Sequence, residues 1–208
     1  MKKLYLSVMG NMGSGKTTVS KLIAKHLNFT LIEENFSQNP FLKDFYNDME
    51  RWAFHSQAFF LTEKIKQMSQ TKNLLRKKSV VQDTPLYQDV HVWAEAQYES
   101  GHMKEAEFAL YRKIYEMFLD QLISPDLIIY LKTSVEVIEE RINARGRSFE
   151  AKVPRWYLVL LNWLLEKWVV KNKRIPVLTI ETDGINIVKN SRDVEELIGK
   201  IKLHIGHI

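Results

Sequence analysis

Cysteine is absent from this 208-residue chain. That excludes disulfides and fits the cytoplasm. No run of 18 or more apolar residues occurs, so no membrane span is expected. The longest apolar cluster, WYLVLLNWLLEKWVV at 156–170, is broken by Asn162, Glu166 and Lys167 and reads as a core or interface helix. The apolar run near the N-terminus is too short for a signal peptide and enters a glycine-rich stretch instead. Blocks of like charge are missing too. The formal net charge is +5, but the basic residues are spread along the chain. This balance suits a small anionic ligand and general solubility, and no polynucleotide partner is expected. Repeats and low-complexity segments are also absent.

What remains is a chain with 45% hydrophobic residues, enough to bury one sizeable core, so 1–208 is read as a single domain. Short apolar runs alternate with helix-length stretches. The runs are KLYLSVM, TLIEE, SVVQD, DLIIYL and PVLTIE. Helices are expected at about 39–49, 51–71, 88–100, 104–122, 134–144, 152–171 and 191–203, besides TTVSKLIAKHL. Apolar strands without polar alternation are buried on both faces. The fold class is therefore α/β, a doubly wound parallel five-stranded sheet with right-handed crossovers. Ligands of such sheets bind outside the carboxyl ends of the strands.

The first strand exit carries GNMGSGKTT: Gly10, Asn11, Met12, Gly13, Ser14, Gly15, Lys16, Thr17 and Thr18. It fits G-x-x-x-x-G-K-[ST], between a strand and a helix. Such a loop turns backbone amides inward to cradle phosphate oxygens, and the helix start adds its positive dipole end. A nucleoside triphosphate is the expected ligand. Lys16 reaches its β- and γ-phosphates and Thr17 reaches Mg²⁺. Asp83, at the exit of the third strand, holds the same Mg²⁺ through water.

A GTPase base-reading motif is not present, because the one Asn-Lys pair, Asn172-Lys173, continues as Arg174-Ile175. Phosphoryl transfer needs positive charge on several sides of the moving group. Arg141, Arg145 and Arg147 in RINARGRSFE supply it, on a lid expected at about 145–151 with Gly146 as its flexible point. A base for the acceptor hydroxyl belongs near the second strand exit, where Glu33 and Glu34 compete.

With NPFLKDFY, an aromatic-rich helix ending in glutamine, and the features above, the chain resembles the deoxynucleoside kinase family, especially its bacterial deoxyadenosine/deoxyguanosine kinase branch. The resemblance covers nearly the whole chain. It implies transfer of the ATP γ-phosphoryl to the 5′-hydroxyl of a deoxynucleoside in nucleotide salvage, with a purine base favoured. It implies Glu34 as the general base, with Glu33 facing away. It implies Gln57 as a base reader, Trp93 as a stacking partner, and Tyr46 with Glu150 as the pair holding the sugar 3′-hydroxyl. Lys64 and Asp89 fall where base choice is set, and it implies a homodimer. One departure stands out: the family usually places Arg and Ser after the strand-exit acid, where this chain has Thr84 and Pro85. Two other readings stay open. One is a thymidylate-type nucleoside monophosphate kinase, and the other is a kinase-like binding subunit that has lost turnover.

Overall fold

The computed structural model describes residues 2–34, 36–147 and 153–206. Five strands form one sheet: β1 (Tyr5–Gly10), β2 (Thr30–Ile32), β3 (Val80–Asp83), β4 (Leu127–Lys132) and β5 (Val177–Glu181). Their order is β2-β3-β1-β4-β5, and every pairing is parallel. The expected parallel, doubly wound sheet is found.

Helices cover both faces, and the period-2 alternation of strand side chains decides which residues meet which helix. Leu6, Val8, Ile129 and Leu131 share a core with Val19 and Ile23 of α1 (Lys16–Leu27) and with Leu197, Ile198 and Ile201 of α9 (Ser191–Ile205). Met9, Ile128 and Tyr130 point the other way. They pack on Tyr157, Leu161, Leu164 and Leu165 of α8 (Arg155–Lys171). The 156–170 cluster is thus a core helix, although Trp156, Val159, Trp163 and Val170 remain exposed. No helix among the described residues is long and apolar enough to cross a membrane.

Between β2 and β3 run α2 (Leu42–Asn47) and α3 (Met49–Leu75). Asp48 caps α3, accepting from the Arg51 backbone N–H at 3.1 Å. Ala53, Gln57, Leu61, Lys64 and Thr71 form the buried stripe of α3. Their spacings of four, four, three and seven keep them on one helix face. Polar side chains, Gln57 and Lys64 among them, therefore point into the protein, where each needs a partner.

After β3, Pro85 ends the extended run and opens a helix whose winding changes along its length: α4 (Leu86–Gln88), a wide π-type turn over Asp89–Ala94, then α5 (Glu95–Glu99). Pro85 has no N–H to leave unpaired at this start. The wide turn brings Asp89 and Trp93 to the carboxyl end of the sheet, a place where such turns often serve function. The remaining helices are α6 (Glu105–Phe118) and α7 (Val135–Arg145). Boundaries differ from expectation by a few residues. The second strand stops at Ile32 rather than Glu34, which leaves both glutamates beyond the sheet.

Candidate active site

The register of β1 on β3 sets Val8 opposite Asp83. The glycine-rich loop and the strand-exit acid therefore lie side by side. Gly10 admits no side chain, because a Cβ there would stand 2.6 Å from Ser14 Oγ and 2.9 Å from the Leu131 carbonyl oxygen. Gly15 opens α1 at φ +97°, a conformation that disfavours any L side chain.

Two amide side chains, neither evident from sequence, hold this loop. Gln88 grips Gly10 at both ends: its Oε1 accepts from Gly10 N–H at 3.0 Å, and its Nε2 donates to Gly10 C=O at 2.7 Å. Asn162, on α8, accepts from Asn11 Nδ2 at 2.8 Å and donates to Thr133 C=O at 2.9 Å. Asn11 also donates to the Leu158 carbonyl oxygen at 3.0 Å. The loop is thus tied to α8 and to the helix after β3.

At the loop's end, Lys16 Nζ donates to the Asn11 carbonyl oxygen at 3.0 Å and stands 6.0 Å from the Trp93 ring centre. Burial holds the Lys16 ammonium below its ordinary pKa, against the pull of Asp83 and Glu34. Thr17 Oγ1 donates to Asp83 Oδ2 at 2.5 Å. Burial pushes the Asp83 carboxyl up, and Lys16 opposes it.

The two glutamates, both past the end of β2, part company. Glu33 pairs with exposed Lys21 at 2.9 Å. Glu34 turns into the main cleft, a cavity of about 190 Å³. The loop lines that cleft with Gly13, Gly15, Lys16, Thr17 and Thr18. Tyr46, Gln57, Asp89 and Trp93 line it too. Arg145 and Arg147 reach it from the end of α7, and the Arg147 guanidinium sits 4.2 Å from the Phe36 ring centre. Phe36, Phe45, Phe60 and Tyr157 complete the walls. None of these four was singled out in the sequence, where each reads as an ordinary core aromatic.

Two buried oxygens in this cleft, Gln57 Oε1 and Asp89 Oδ2, have no hydrogen-bond partner among the described residues. Unpaired buried polar atoms are unfavourable unless something completes them. Burial pushes the Asp89 carboxyl up to about 8, with Lys64 working against the shift.

Not every expected site residue lines this cleft. Arg141 does not line the main cleft. It donates to Thr182 C=O at 2.7 Å and to Ser14 C=O at 3.3 Å. It lines an adjoining cavity with Asp183, Gly184, Ile185 and Asn186, on the other side of the glycine-rich loop. Lys64 is buried and does not line the cleft either. Glu150, with most of the expected lid, lies outside the described residues.

Oxygen donors suited to Mg²⁺ are present in Thr17 and Asp83. No cluster of three or more His, Cys, Asp or Glu that could hold a metal exists among the described residues. One carboxylate and one hydroxyl fit an ion held mainly by phosphates and water, as Mg²⁺ usually is beside a nucleotide.

The family model for deoxynucleoside kinase matches residues 6–206. A deoxyadenosine/deoxycytidine kinase of Bacillus subtilis is 31% identical over 203 residues, covering 96% of this chain and 92% of the relative. A deoxyguanosine kinase of the same organism is 29% identical over 202 residues, covering 95% and 96%. The solved structure of a deoxyadenosine kinase from M. mycoides with dCMP and dCDP superposes with a TM-score of 0.85 at 26% identity. It covers 96% of this chain and 99% of that one. Another structure of that enzyme, with bound dATP, gives a TM-score of 0.82 at 25% identity over 96% of this chain and 99% of that one.

Proposed function

This chain belongs to the deoxynucleoside kinase family, and from that premise we propose how its cleft divides the work. ATP sits with its phosphates in the loop Gly10–Thr18, and a deoxynucleoside sits between Glu34 and the Gln57–Asp89 end. Glu34 accepts the proton of the 5′-hydroxyl. The 5′-oxygen then forms a bond to the γ-phosphorus as the bond to the bridging β-oxygen breaks. ADP and a deoxynucleoside 5′-monophosphate leave.

Lys16, Arg145 and Arg147 offset the charge that spreads over the transferring group, an electrostatic role typical of such sites. Arg141, on the other side of the loop, serves the donor nucleotide. Thr17 and Asp83 would hold Mg²⁺, which supplies further charge neutralisation when bound. Trp93 offers a face for the base, while Tyr46 and Glu150 serve the sugar.

The observation that carries this reading is the pair of unpartnered buried oxygens, Gln57 Oε1 and Asp89 Oδ2, on two residues that line the cleft. Acceptors placed there call for N–H donors. The exocyclic amine of adenine or cytosine provides them, and a protonated Asp89 adds a donor for a purine ring nitrogen. We assign the preference to purine deoxynucleosides, with deoxycytidine as the next acceptor. The kinship with enzymes named for deoxyadenosine, deoxyguanosine and deoxycytidine agrees.

The test is phosphorylation of dA, dG, dC, dT, the matching ribonucleosides and dTMP with ATP and Mg²⁺. Turnover on dA or dG above dC, with none on dTMP, is expected. Turnover on dTMP alone would replace this reading with a monophosphate kinase. Tight ATP binding without turnover on any acceptor would make the chain a binding subunit. The Glu34→Gln variant should keep ATP affinity and lose turnover by more than about 1000-fold.

A further inference from the structure

Lys64 stands two turns after Gln57 on the buried stripe of α3. Its ammonium is spent on three partners. It lies 3.0 Å from Glu34 Oε1 and donates to the carbonyl oxygens of Asp83 at 3.1 Å and Thr84 at 2.7 Å. An ammonium has three protons. The three contacts use all of them.

Thr84 is shaped for this contact. Its φ is +64°, a value rare for a β-branched residue. The residue is fully buried, and its N–H is held by the Val8 carbonyl oxygen at 3.0 Å. Backbone held in such a state points to a function that the surroundings enforce. The chain emerging from β3 thus presents two successive carbonyl oxygens to one ammonium. That ammonium grips one oxygen of Glu34. The other, Oε2, faces the Thr84 hydroxyl at 3.5 Å. Burial works to lower the Lys64 pKa, but Glu34 and Asp89 outweigh it and hold the ammonium protonated.

We propose that Lys64 is a positioning residue for phosphoryl transfer. It anchors Glu34 Oε1 to the exit of β3, so that Oε2 is the atom aimed at the acceptor hydroxyl. This rests on the reading of Glu34 as the base. Lys64 acts through Glu34 and does not read the nucleobase. Its charge is needed near Glu34 and its methylene stem is not enough.

A double-mutant cycle tests this, with kcat and KM measured separately for dA, dG and dC. Lys64→Met should lower kcat roughly 100-fold, the scale of a mispositioned reacting group. KM for ATP and the ranking of the three nucleosides should change less than about threefold. In the Glu34→Gln background the same substitution should lower kcat by less than about threefold, because residues acting as one unit are not additive. The chain has no cysteine, so Lys64→Cys, alkylated with bromoethylamine while unfolded and then refolded, restores an ammonium at this one position. Recovery of at least a tenth of wild-type kcat on alkylation is expected, and this comparison decides the matter if Lys64→Met does not fold.

An equal loss in both Glu34 backgrounds would overturn the proposal, as would a change in nucleoside ranking at unchanged kcat. So would alkylation without recovery. Wild-type turnover in Glu34→Gln would instead overturn the assignment of the base, a separate outcome.

Discussion

The Thr17 hydroxyl donates to Asp83 Oδ2 across 2.5 Å, joining the first turn of α1 to the exit of β3. Replacing Asp83 by Asn keeps an acceptor for Thr17 and removes the charge. We expect kcat to fall about 100-fold and half-saturation by Mg²⁺ to need several-fold more ion, with nucleoside KM little changed. Titrating Mg²⁺ at saturating ATP checks it. An unaltered Mg²⁺ dependence would remove Asp83 from the ion's surroundings.

Gln88 makes both hydrogen bonds of the Gly10 backbone that face it, at 3.0 and 2.7 Å. Gln88→Leu leaves a buried N–H and a buried C=O without partners. The expected loss is about 3 kcal/mol of stability, or roughly 6–12 °C in Tm. ATP affinity should fall about tenfold because the loop is no longer held to the following helix. Thermal denaturation with and without ATP measures both. A variant as stable as wild type would show that water or a neighbour takes over both bonds.

The sequence carries the architecture because each strand is a short apolar run and each crossover a helix-length stretch. It also carries the residues whose position follows from a local rule. The loop opens α1, Asp83 ends β3, and of the two glutamates just past β2 Glu33 pairs with Lys21 while Glu34 lines the cleft. Gln88 was not legible, because its partner Gly10 is 78 residues away and a buried amide has no periodic signature. Lys64 was legible as a residue seven positions after Gln57, and that spacing does place both on one face of α3. The sequence could not show that β3 ends with two carbonyl oxygens turned toward Lys64. That depends on the positive φ of Thr84, a conformation no one expects of threonine. Arg141 likewise shares a pattern with Arg145 and Arg147, but its link to Thr182 sets it on the other side of the loop.

Asp89 makes stability pH-dependent. Burial lifts its folded-state pKa to about 8, above the ordinary carboxylate value. Between those limits the folded chain binds more protons than the unfolded chain, so this residue's contribution falls as pH rises and levels off above about 8. Asp89→Asn removes the titration. Its Tm should rise relative to wild type as pH increases from 5 to 8, with a relative change on the order of 10 °C. Comparing the two proteins by calorimetry cancels the titrations they share. A constant difference in Tm across this range would contradict a raised Asp89 pKa.

Thr84 and Lys64 compete for one role. The Thr84 side chain already points at Glu34, with Oγ1 3.5 Å from Oε2. An arginine at this position, as the resemblance would lead one to expect, would direct a second cation toward the carboxylate that Lys64 holds at 3.0 Å. Thr84 is fully buried and Lys64 nearly so, so two cations there repel with little solvent to screen them. Thr84→Arg alone should therefore lose more than about 3 kcal/mol. Adding Lys64→Met removes the competing charge and lets the guanidinium take over Glu34 and the carbonyl oxygens of β3. The double variant should regain about 2 kcal/mol over Thr84→Arg, a coupling larger than independent sites show. It should also regain turnover relative to Lys64→Met, because Glu34 again has a cation. Urea denaturation and kcat of the four proteins decide this. Additive losses in stability would mean that the two positions do not share one charge site.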